Sequence, residues 1–120
     1  MPWTVIYHDA FDREREALPD AVQNELLARV SLLEEFGPRL GRPYADTLAG
    51  SRHANLRELR FEAADGVWRV AFAFDPKRQA ILLIAGDKAG VTQKRFYMRL
   101  IATADMRFDE HLAALAAKGH

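Results

Sequence analysis

The feature that most constrains the fold is an uninterrupted apolar run, Ala80-Ile-Leu-Leu-Ile-Ala85. The turn-forming segment Asp75-Pro-Lys-Arg78 precedes it, and the polar, glycine-containing segment Gly86-Asp-Lys-Ala-Gly90 follows it. An apolar run of this length between turn signals is typical of a strand that is buried on both faces. We therefore predict a central strand over residues 80–85.

Two further strands are predicted before this run. From Leu56 onward polar and apolar residues alternate with a period of two, and a second run extends from Val67 to Phe74. Between them, Ala64-Asp-Gly66 has the composition of a tight turn. Together with residues 80–85, these segments predict an antiparallel three-strand meander.

Helical periodicity is found on both sides of the meander. Apolar residues follow steps of three and four from Pro19 until Gly37-Pro38, and again over residues 92–117, which predicts a long helix in each place. The charged segment 9–18 predicts a shorter helix that forms a hairpin with the first long one. The β-branched and aromatic residues 3–7 predict an N-terminal strand.

Residues 37–55 contain several glycines and prolines and little periodicity, so we predict a long connecting loop there. The predicted order is an N-terminal strand, a helical hairpin, a three-strand meander and a C-terminal helix packed on the sheet. This order of elements is typical of the α+β fold class. The 120-residue length and the lack of internal repeats predict a single domain over residues 1–120.

Composition excludes several kinds of chemistry. With no cysteine, the chain has no disulfide, thiol nucleophile or thiolate-bound metal. We predict no metal and no cofactor, because no two histidines have helical ligand spacing among His8, His53, His111 and His120. No apolar run approaches the roughly 18 residues of a membrane span, so we predict a cytoplasmic protein with no membrane partner.

The charges are distributed unevenly although their sum is zero. Residues 1–51 hold five basic and nine acidic residues, whereas residues 52–99 hold ten basic and five acidic ones. Aromatic residues interleave with this basic block, a pattern typical of RNA-binding surfaces: Phe61, Trp68, Phe96 and Tyr97. A solvated strand face could also hold about half of the excess charge, so the block alone leaves both interpretations open.

The candidate site consists of basic and phenolic side chains at the ends of the predicted sheet. They are Arg57 and Arg60 on the second strand, Arg69 on the third, Lys88 after the fourth, and Lys94, Arg95, Tyr97 and Arg99 at the start of the last helix. Such groups bind phosphates and stabilise the charge on a phosphorus atom that a 2′-hydroxyl attacks. Lys, Tyr or Glu could then transfer the protons of a metal-free RNA cleavage.

Structural roles compete with the functional ones at four places. Glu58 could simply pair with Arg60 or Arg57, and Tyr97 could face the core. Trp68 is more typical of a core anchor than of a base-stacking platform. We expect the run Asp109-Glu-His111 to form a solvated helix face. The sequence also leaves open whether Arg60 and Arg69 share a face of their hairpin.

Six short segments carry a further signal through their order along the chain. They are Leu56-Arg-Glu-Leu-Arg60, Trp68-Arg-Val-Ala-Phe72, Ile84-Ala-Gly-Asp-Lys88, Lys94-Arg-Phe-Tyr97, Ala104-Asp105 and His111-Leu112. Taken together, they resemble the RelE/HigB superfamily of type II toxins, and in particular the phage-derived, HigB-like branch of host-growth inhibitors. The N-terminal strand and helical hairpin also fit, so the resemblance covers nearly the whole chain.

The resemblance implies a small toxin that cuts mRNA on the ribosome without a metal and is neutralised by a cognate antitoxin, often of the helix-turn-helix type. It implies catalytic roles for Arg60, Arg69, Lys88, Arg95 and Tyr97, and RNA-binding roles for Arg57, Lys94 and Arg99. RelE has a lysine pair on its second strand where this chain has Leu56-Arg-Glu58. That part of the RelE mechanism does not transfer, and Glu58 would act as a base or as a partner that orients an arginine.

Two alternatives to the nuclease remain. ParE toxins share the fold but bind DNA gyrase, and a degenerate member would only bind its antitoxin. The nuclease requires Arg60, Arg69, Lys88 and Arg95 to converge on one concave surface, whereas a gyrase-binding protein does not. We also expect Arg69→Ala to remove toxicity and leave the fold intact, on the premise that Arg69 is a charged residue at a sheet edge.

Overall fold

A five-stranded sheet with helices on both faces forms the core of the computed structural model, which describes residues 2–118. The elements are β1 (Thr4–Tyr7), α1 (Asp9–Arg15), α2 (Asp20–Phe36), β2 (Ala45–Thr47), β3 (Leu56–Ala63), β4 (Gly66–Phe74), β5 (Gln79–Asp87) and α3 (Gln93–Lys118). The predicted α+β fold class is confirmed. The domain limits at residues 1 and 120 and the histidine at 120 lie outside the described residues.

The strands lie in the order β1-β5-β4-β3-β2. Strands β3, β4 and β5 pair antiparallel, which confirms the predicted meander, and β1 lies parallel to β5. Strand β5 is thus enclosed by neighbours on both sides, and the predicted central strand is buried from Ala80 to Leu83. Leu83 is an extra residue in the pairing of β5 with β4, so Leu83 and Ile84 both contact the side of the sheet covered by α3.

The prediction of an unstructured loop over residues 37–55 is wrong in two places, because a short 3-10 helix, Gly37–Arg39, and the strand β2 lie within it. This strand has only three residues, too few for a period of two to stand out from the surrounding glycines and prolines. It is defined by its partner: Ala45 lies opposite Leu59, and Thr47 lies opposite Arg57. It extends the sheet by one short edge strand beside β3.

The face of the sheet under α1 and α2 carries the larger apolar core. The buried helix residues Phe11, Val22, Leu26 and Leu33 contact sheet residues that include Leu59, Phe61, Val70, Phe72 and Leu82. Burying a side chain of this size stabilises a fold by about 1.5–3 kcal/mol. Helix α2 ends where Gly37 takes a positive φ of 55°, as its Gly-Pro sequence predicts.

The opposite face of the sheet is covered by α3, through a stripe of residues spaced by four: Phe96, Leu100, Ala104 and Phe108. The helix approaches the sheet closely at Gly86, where an added Cβ would lie 2.9 Å from the Phe96 ring. This close approach fixes the first turns of α3 against the central strands. None of the helices within residues 2–118 has the length and apolar character that crossing a membrane requires.

The expectation that Asp109-Glu-His111 forms a solvated face holds for Asp109 and Glu110, whose side chains are 44% and 60% exposed, and is wrong for His111, whose side chain is 12% exposed. Each of the three side chains contacts another part of the chain, in the pairs Asp109 with Arg52, Glu110 with His8 and His111 with Asp75. The reason is the length of α3. Its 26 residues span about 39 Å, so its second half extends over the segments that flank the strands.

Candidate functional site

The hairpin between β3 and β4 determines the geometry of the site. Its two turn residues, Ala64 and Asp65, both have a positive φ, as in the tight turns that join neighbouring antiparallel strands. With this turn, Arg60 lies directly opposite Arg69. Residues directly opposite each other point to the same face, so both arginines lie on the face that α3 covers. This settles the question that the sequence left open.

Glu58 lies on the same face, two residues before Arg60, and is only 5% exposed. Its Oε1 atom is 3.4 Å from Nε of Arg60 and 3.8 Å from Nε of Arg69. The same oxygen accepts a hydrogen bond of 2.9 Å from the hydroxyl of Tyr97. Glu58 does pair with Arg60, but its shortest contact is with the phenol, so it joins two strands to α3.

Arg69 also hydrogen-bonds to Tyr97 and is the fourth member of this cluster, with Glu58, Arg60 and Tyr97. Its Nε donates to the Tyr97 oxygen at 2.6 Å, and its Nη1 donates to the Val67 carbonyl at 3.2 Å. Its guanidinium also lies 5.6 Å from the ring centroids of Phe96 and Tyr97. The premise that Arg69 lies at a sheet edge is wrong: β4 is the middle strand, and α3 covers Arg69 so that only 4% is exposed.

Burial controls the ionisation of this cluster. It raises the pKa of Glu58 above its ordinary value, although the Tyr97 hydrogen bond and the two arginines act in the opposite direction. Burial also raises the pKa of Tyr97, and its hydrogen bond to the Glu58 carboxylate adds to that rise. In the resting cluster the proton therefore belongs to the phenol, and Glu58 accepts a proton more readily than an exposed glutamate.

Lys88 and Lys94 lie on either side of the start of α3, the helix that carries Tyr97. Lys88 directly follows β5 and lies at the end of the sheet where the β3–β4 hairpin turns. Lys94 is exposed and precedes Tyr97 by three residues, so the two share one face of α3. The structure therefore brings both lysines to the same end of the fold as Arg60 and Arg69.

Arg95 and Arg99 lie on a different side of α3. Each is exposed and two residues away from Tyr97, which places it about 200° around the helix. Of the four cations that the nuclease hypothesis requires on one concave surface, Arg60 and Lys88 lie at the same end of the sheet, whereas Arg69 is buried beneath α3 and Arg95 faces away from Tyr97.

The structure does not bring Arg57 to the site. Because side chains alternate along β3, Arg57 points to the opposite face of the sheet from Arg60. There it donates hydrogen bonds to the carbonyls of Pro38 and Leu40, at 3.2 and 2.8 Å. Trp68 packs against the core on this same opposite face, as expected of a core anchor.

One neighbour of the site was missed from the sequence. Asp46 of β2 lies directly opposite Glu58, binds Arg42 at 2.8 Å, and its charge adds to the raised pKa of Glu58. No sequence pattern in the surrounding segment could have located it, because β2 is so short. Within residues 2–118, no group of three or more His, Asp or Glu side chains is arranged to hold a metal ion.

Comparisons with known proteins identify the family. Residues 13–109 match the family described as phage-derived protein Gp49-like. The chain is 49% identical to the candidate toxin HigB3 of Mycobacterium tuberculosis, over 71% of this chain and 72% of that protein. It is also 49% identical to the candidate toxin HigB2 of the same organism, over 73% of this chain. That match spans only 44% of the length of HigB2.

Solved structures share the fold at low sequence identity. A double arginine-to-alanine variant of the Escherichia coli toxin RelE, in the free state, matches 85% of this chain and 96% of its own, with a TM-score of 0.61 and 12% identity. The archaeal RelE–RelB complex from Pyrococcus horikoshii contains a chain that matches 76% of this one with a TM-score of 0.55 and 20% identity. The resemblance seen in the sequence is confirmed, and the chain belongs to the Gp49-like family of the RelE/HigB type.

Proposed function

We propose that this protein is the toxin of a type II toxin–antitoxin system and that it acts as a metal-independent mRNA endoribonuclease on the ribosome. The observation that carries the proposal is the chain of contacts from Arg69 through Tyr97 to Glu58, beside the exposed Arg60. It combines a proton acceptor, a phenol and cations on one face of the sheet. When a 2′-hydroxyl attacks a phosphate, the reaction requires these groups to accept the proton and to stabilise the charge on the phosphate.

Arg60 is the residue that binds the scissile phosphate. Its side chain is 45% exposed, while its contact with the buried Glu58 holds it in place. A guanidinium fixed in this way presents its remaining donors to two phosphate oxygens at once. Lys88 and Lys94 add positive charge at the same end of the fold, and the exposed Arg95 and Arg99 bind the RNA backbone further along.

Tyr97 and Glu58 move the proton of the nucleophile. The 2′-hydroxyl gives its proton to the Tyr97 oxygen as the phenol proton passes to Glu58, and the new bond forms between O2′ and phosphorus. The bond from phosphorus to O5′ breaks, and the leaving oxygen takes a proton from the Lys88 ammonium group. The products are a 2′,3′-cyclic phosphate and a 5′-hydroxyl end.

Arg69 acts as a positioning residue. With 4% of its surface exposed, it does not reach a phosphate, but its Nε donates to the oxygen of Tyr97. A cation at this distance stabilises the negative charge that develops on the phenol oxygen as the proton moves. This role replaces the direct RNA contact that the family resemblance implied for Arg69.

We further propose a protein antitoxin and the ribosome as partners, in the cytoplasm. The solved RelE–RelB complex, one chain of which shares this fold, supports the antitoxin. The basic block over residues 52–99 supports a nucleic-acid partner, because cations on one segment attract phosphates even in a protein with no net charge.

The test is to add the purified chain to a translating extract and to map new mRNA 5′ ends by primer extension. New ends within translated codons, absent when translation is blocked beforehand, are the expected result. Intact message, together with inhibition of DNA gyrase supercoiling by the same preparation, would contradict the proposal and favour a gyrase-binding toxin.

A further inference from the structure

A groove runs along the sheet edge beside the site, and Arg60 lies in the middle of it. On one side of Arg60 is a hollow of about 370 Å³, lined by residues that include Glu25, Arg29, Tyr44 and Phe61. On the other side is a hollow of about 440 Å³ beside Asp46. Both are lined by Arg60, so the groove is continuous with the proposed phosphate site.

The groove exists because β2 covers only part of β3. The strand pairing ends with Ala45 opposite Leu59, and one more backbone bond follows, from the Arg60 N–H to the Tyr44 carbonyl at 3.0 Å. Within residues 2–118, no strand pairs with residues 61–63 on that side. The edge beyond Arg60 is thus open to a ligand, with Tyr44 at its border.

Tyr44 forms a fixed aromatic platform in the first hollow. The residue is 40% exposed, and the guanidinium of Arg29 lies 5.4 Å from its ring centroid. Arg29 is itself held by Glu25 at 3.5 Å and lies 5.9 Å from the Phe61 ring. One side of the Tyr44 ring therefore rests on a cation, while the exposed part faces the hollow. Unpaired RNA bases stack on aromatic rings presented in this way.

The charges of the hollow fit a nucleobase better than a phosphate. Two carboxylates, Glu25 and Glu62, line it, and they repel phosphate but accept hydrogen bonds from ring N–H and amino groups. The cation that suits a phosphate, Arg60, lies at its border. A nucleotide bound across this boundary would place its phosphate at Arg60 and its base against Tyr44.

We propose that the hollow lined by Glu25, Arg29, Tyr44 and Phe61 is a nucleobase-binding subsite, and that it favours guanine in single-stranded RNA. Guanine offers two neighbouring N–H donors on its Watson–Crick edge, which is the pattern that a carboxylate accepts best. The inference rests on the proposed function, because it needs an RNA strand at Arg60. It adds a determinant of sequence preference that lies outside the proton-transfer cluster.

The test measures binding alone, with fluorescein-labelled tetranucleotides that carry 2′-O-methyl groups and cannot be cleaved. Fluorescence anisotropy compares four such RNAs that differ in one base, and a fifth that lacks that base. Tyr44→Ala is expected to weaken the guanine RNA by about 5- to 100-fold and to remove the differences among bases. Tyr44→Phe keeps the ring and is expected to bind like the parent chain, as is Met106→Ala, which removes an exposed apolar side chain elsewhere.

The variant Arg60→Gln distinguishes a failure of the subsite proposal from a failure of the proposed function. If Arg60→Gln loses RNA affinity while Tyr44→Ala binds all five RNAs like the parent chain, the subsite is wrong and the phosphate site stands. If Arg60→Gln binds as tightly as the parent chain, the RNA-binding function itself is wrong. Equal weakening of the base-free RNA by Tyr44→Ala would also contradict stacking at Tyr44. Thermal melts of each variant confirm that the protein measured is folded.

Discussion

At the residue scale, the properties of the site depend on one buried carboxylate. Glu58 is surrounded by two guanidinium groups and a phenol, yet burial raises its pKa. A carboxyl group whose pKa is raised toward neutrality is a better general base than an exposed one, because its conjugate acid holds the transferred proton. The same burial makes the charged form of Glu58 unfavourable for folding.

The first prediction concerns the pH dependence of stability in Glu58→Gln. In the folded chain Glu58 binds its proton more tightly than in the unfolded chain, where its pKa is about 4.3. Its contribution to stability is therefore fully present below about pH 4 and is lost as the pH rises through the folded pKa. We expect the free energy of unfolding of the parent chain to fall, relative to Glu58→Gln, as the pH rises above about 4.

Urea denaturation at several pH values measures this difference directly. Glu14 and Asp75, whose pKa values are lowered, act in the opposite direction on the parent chain. Both are present in each protein, so their effects cancel in the comparison. A stability difference that grows in favour of the parent chain as the pH rises would contradict the raised pKa of Glu58.

The second prediction concerns Arg69→Ala. Leaving a buried charge without any partner costs about 3–5 kcal/mol. Arg69 is 4% exposed and Glu58 is 5% exposed, but Glu58 keeps Arg60 at 3.4 Å and the Tyr97 hydrogen bond, so we expect a clear loss in the free energy of unfolding that stays below this range. The double variant Glu58→Gln with Arg69→Ala is expected to lose less than the sum of the single losses. Additive losses in the double-mutant cycle would show that the two side chains are not coupled.

The sequence identified the residue types of the site, but it did not show which of these residues contact one another. The alternation along β3 already implied that Arg57 and Arg60 point to opposite faces, so the placement of Arg57 could have been predicted. The pairing of Arg60 with Arg69 could not, because the Asp65-Gly66 pair favours a turn one residue later than the Ala64-Asp65 turn observed. That shift would have placed Arg69 opposite Glu62 instead.

At the scale of elements, the position of Tyr97 depends on how α3 is held. Phe96 and Leu100 anchor its first half on the sheet, and its second half binds the segment that follows β2. There the hydroxyl of Ser51 donates to the buried Asp105, and Arg52 and His53 contact Asp109. The segment between β2 and β3 is therefore fastened to the same helix that carries Tyr97.

The third prediction compares the two aspartates of this contact. Asp105→Ala leaves the Ser51 hydroxyl and the Arg52 backbone N–H without their acceptor, and losses of this kind cost about 1–3 kcal/mol. Asp109→Ala is the matched control, because its carboxylate is exposed and solvent screens its pairing. We expect thermal unfolding to show a clear loss for Asp105→Ala and a much smaller one for Asp109→Ala. Equal losses would mean that burial does not determine the strength of this contact.

The elements with a long hydrophobic period were predictable, and the short or tertiary-defined ones were not. Helices α2 and α3 show their period over many residues and strand β5 is a continuous apolar run, so their positions agree with the structure within about two residues. Strand β2 and the contacts of Asp109-Glu-His111 depend on partners distant in sequence. No local pattern encodes such partners in a single sequence.

At the scale of the whole molecule, the distribution of charge matters more than its sum. The chain has no net charge, yet Arg60, Arg69, Lys88 and Lys94 lie toward one end of the sheet, and the acidic excess lies in residues 1–51. RNA binding by such a surface releases counterions and weakens as salt increases. The number of cations that contact phosphate can therefore be counted from the salt dependence.

The fourth prediction uses this dependence to distinguish the two arginines of β3. Arg60→Gln is expected to weaken binding to single-stranded RNA and to reduce the slope of log K against log salt by about 0.7. Arg57→Gln is the matched control on the same strand, since Arg57 binds backbone carbonyls on the other face. We expect its salt slope to equal that of the parent chain. A reduced slope for Arg57→Gln with a normal slope for Arg60→Gln would reverse the assignment.

The most direct test of the central claim is single-turnover cleavage of mRNA on programmed ribosomes by the parent chain, Tyr97→Phe and Tyr7→Phe. Tyr97→Phe removes only the hydroxyl that links Arg69 to Glu58, whereas Tyr7 lies in β1 at the opposite edge of the sheet. We predict that Tyr97→Phe slows cleavage by about 10²- to 10⁴-fold with unchanged ribosome binding, and that Tyr7→Phe cleaves at the parental rate. Parental cleavage by Tyr97→Phe would contradict proton transfer through Tyr97 and Glu58.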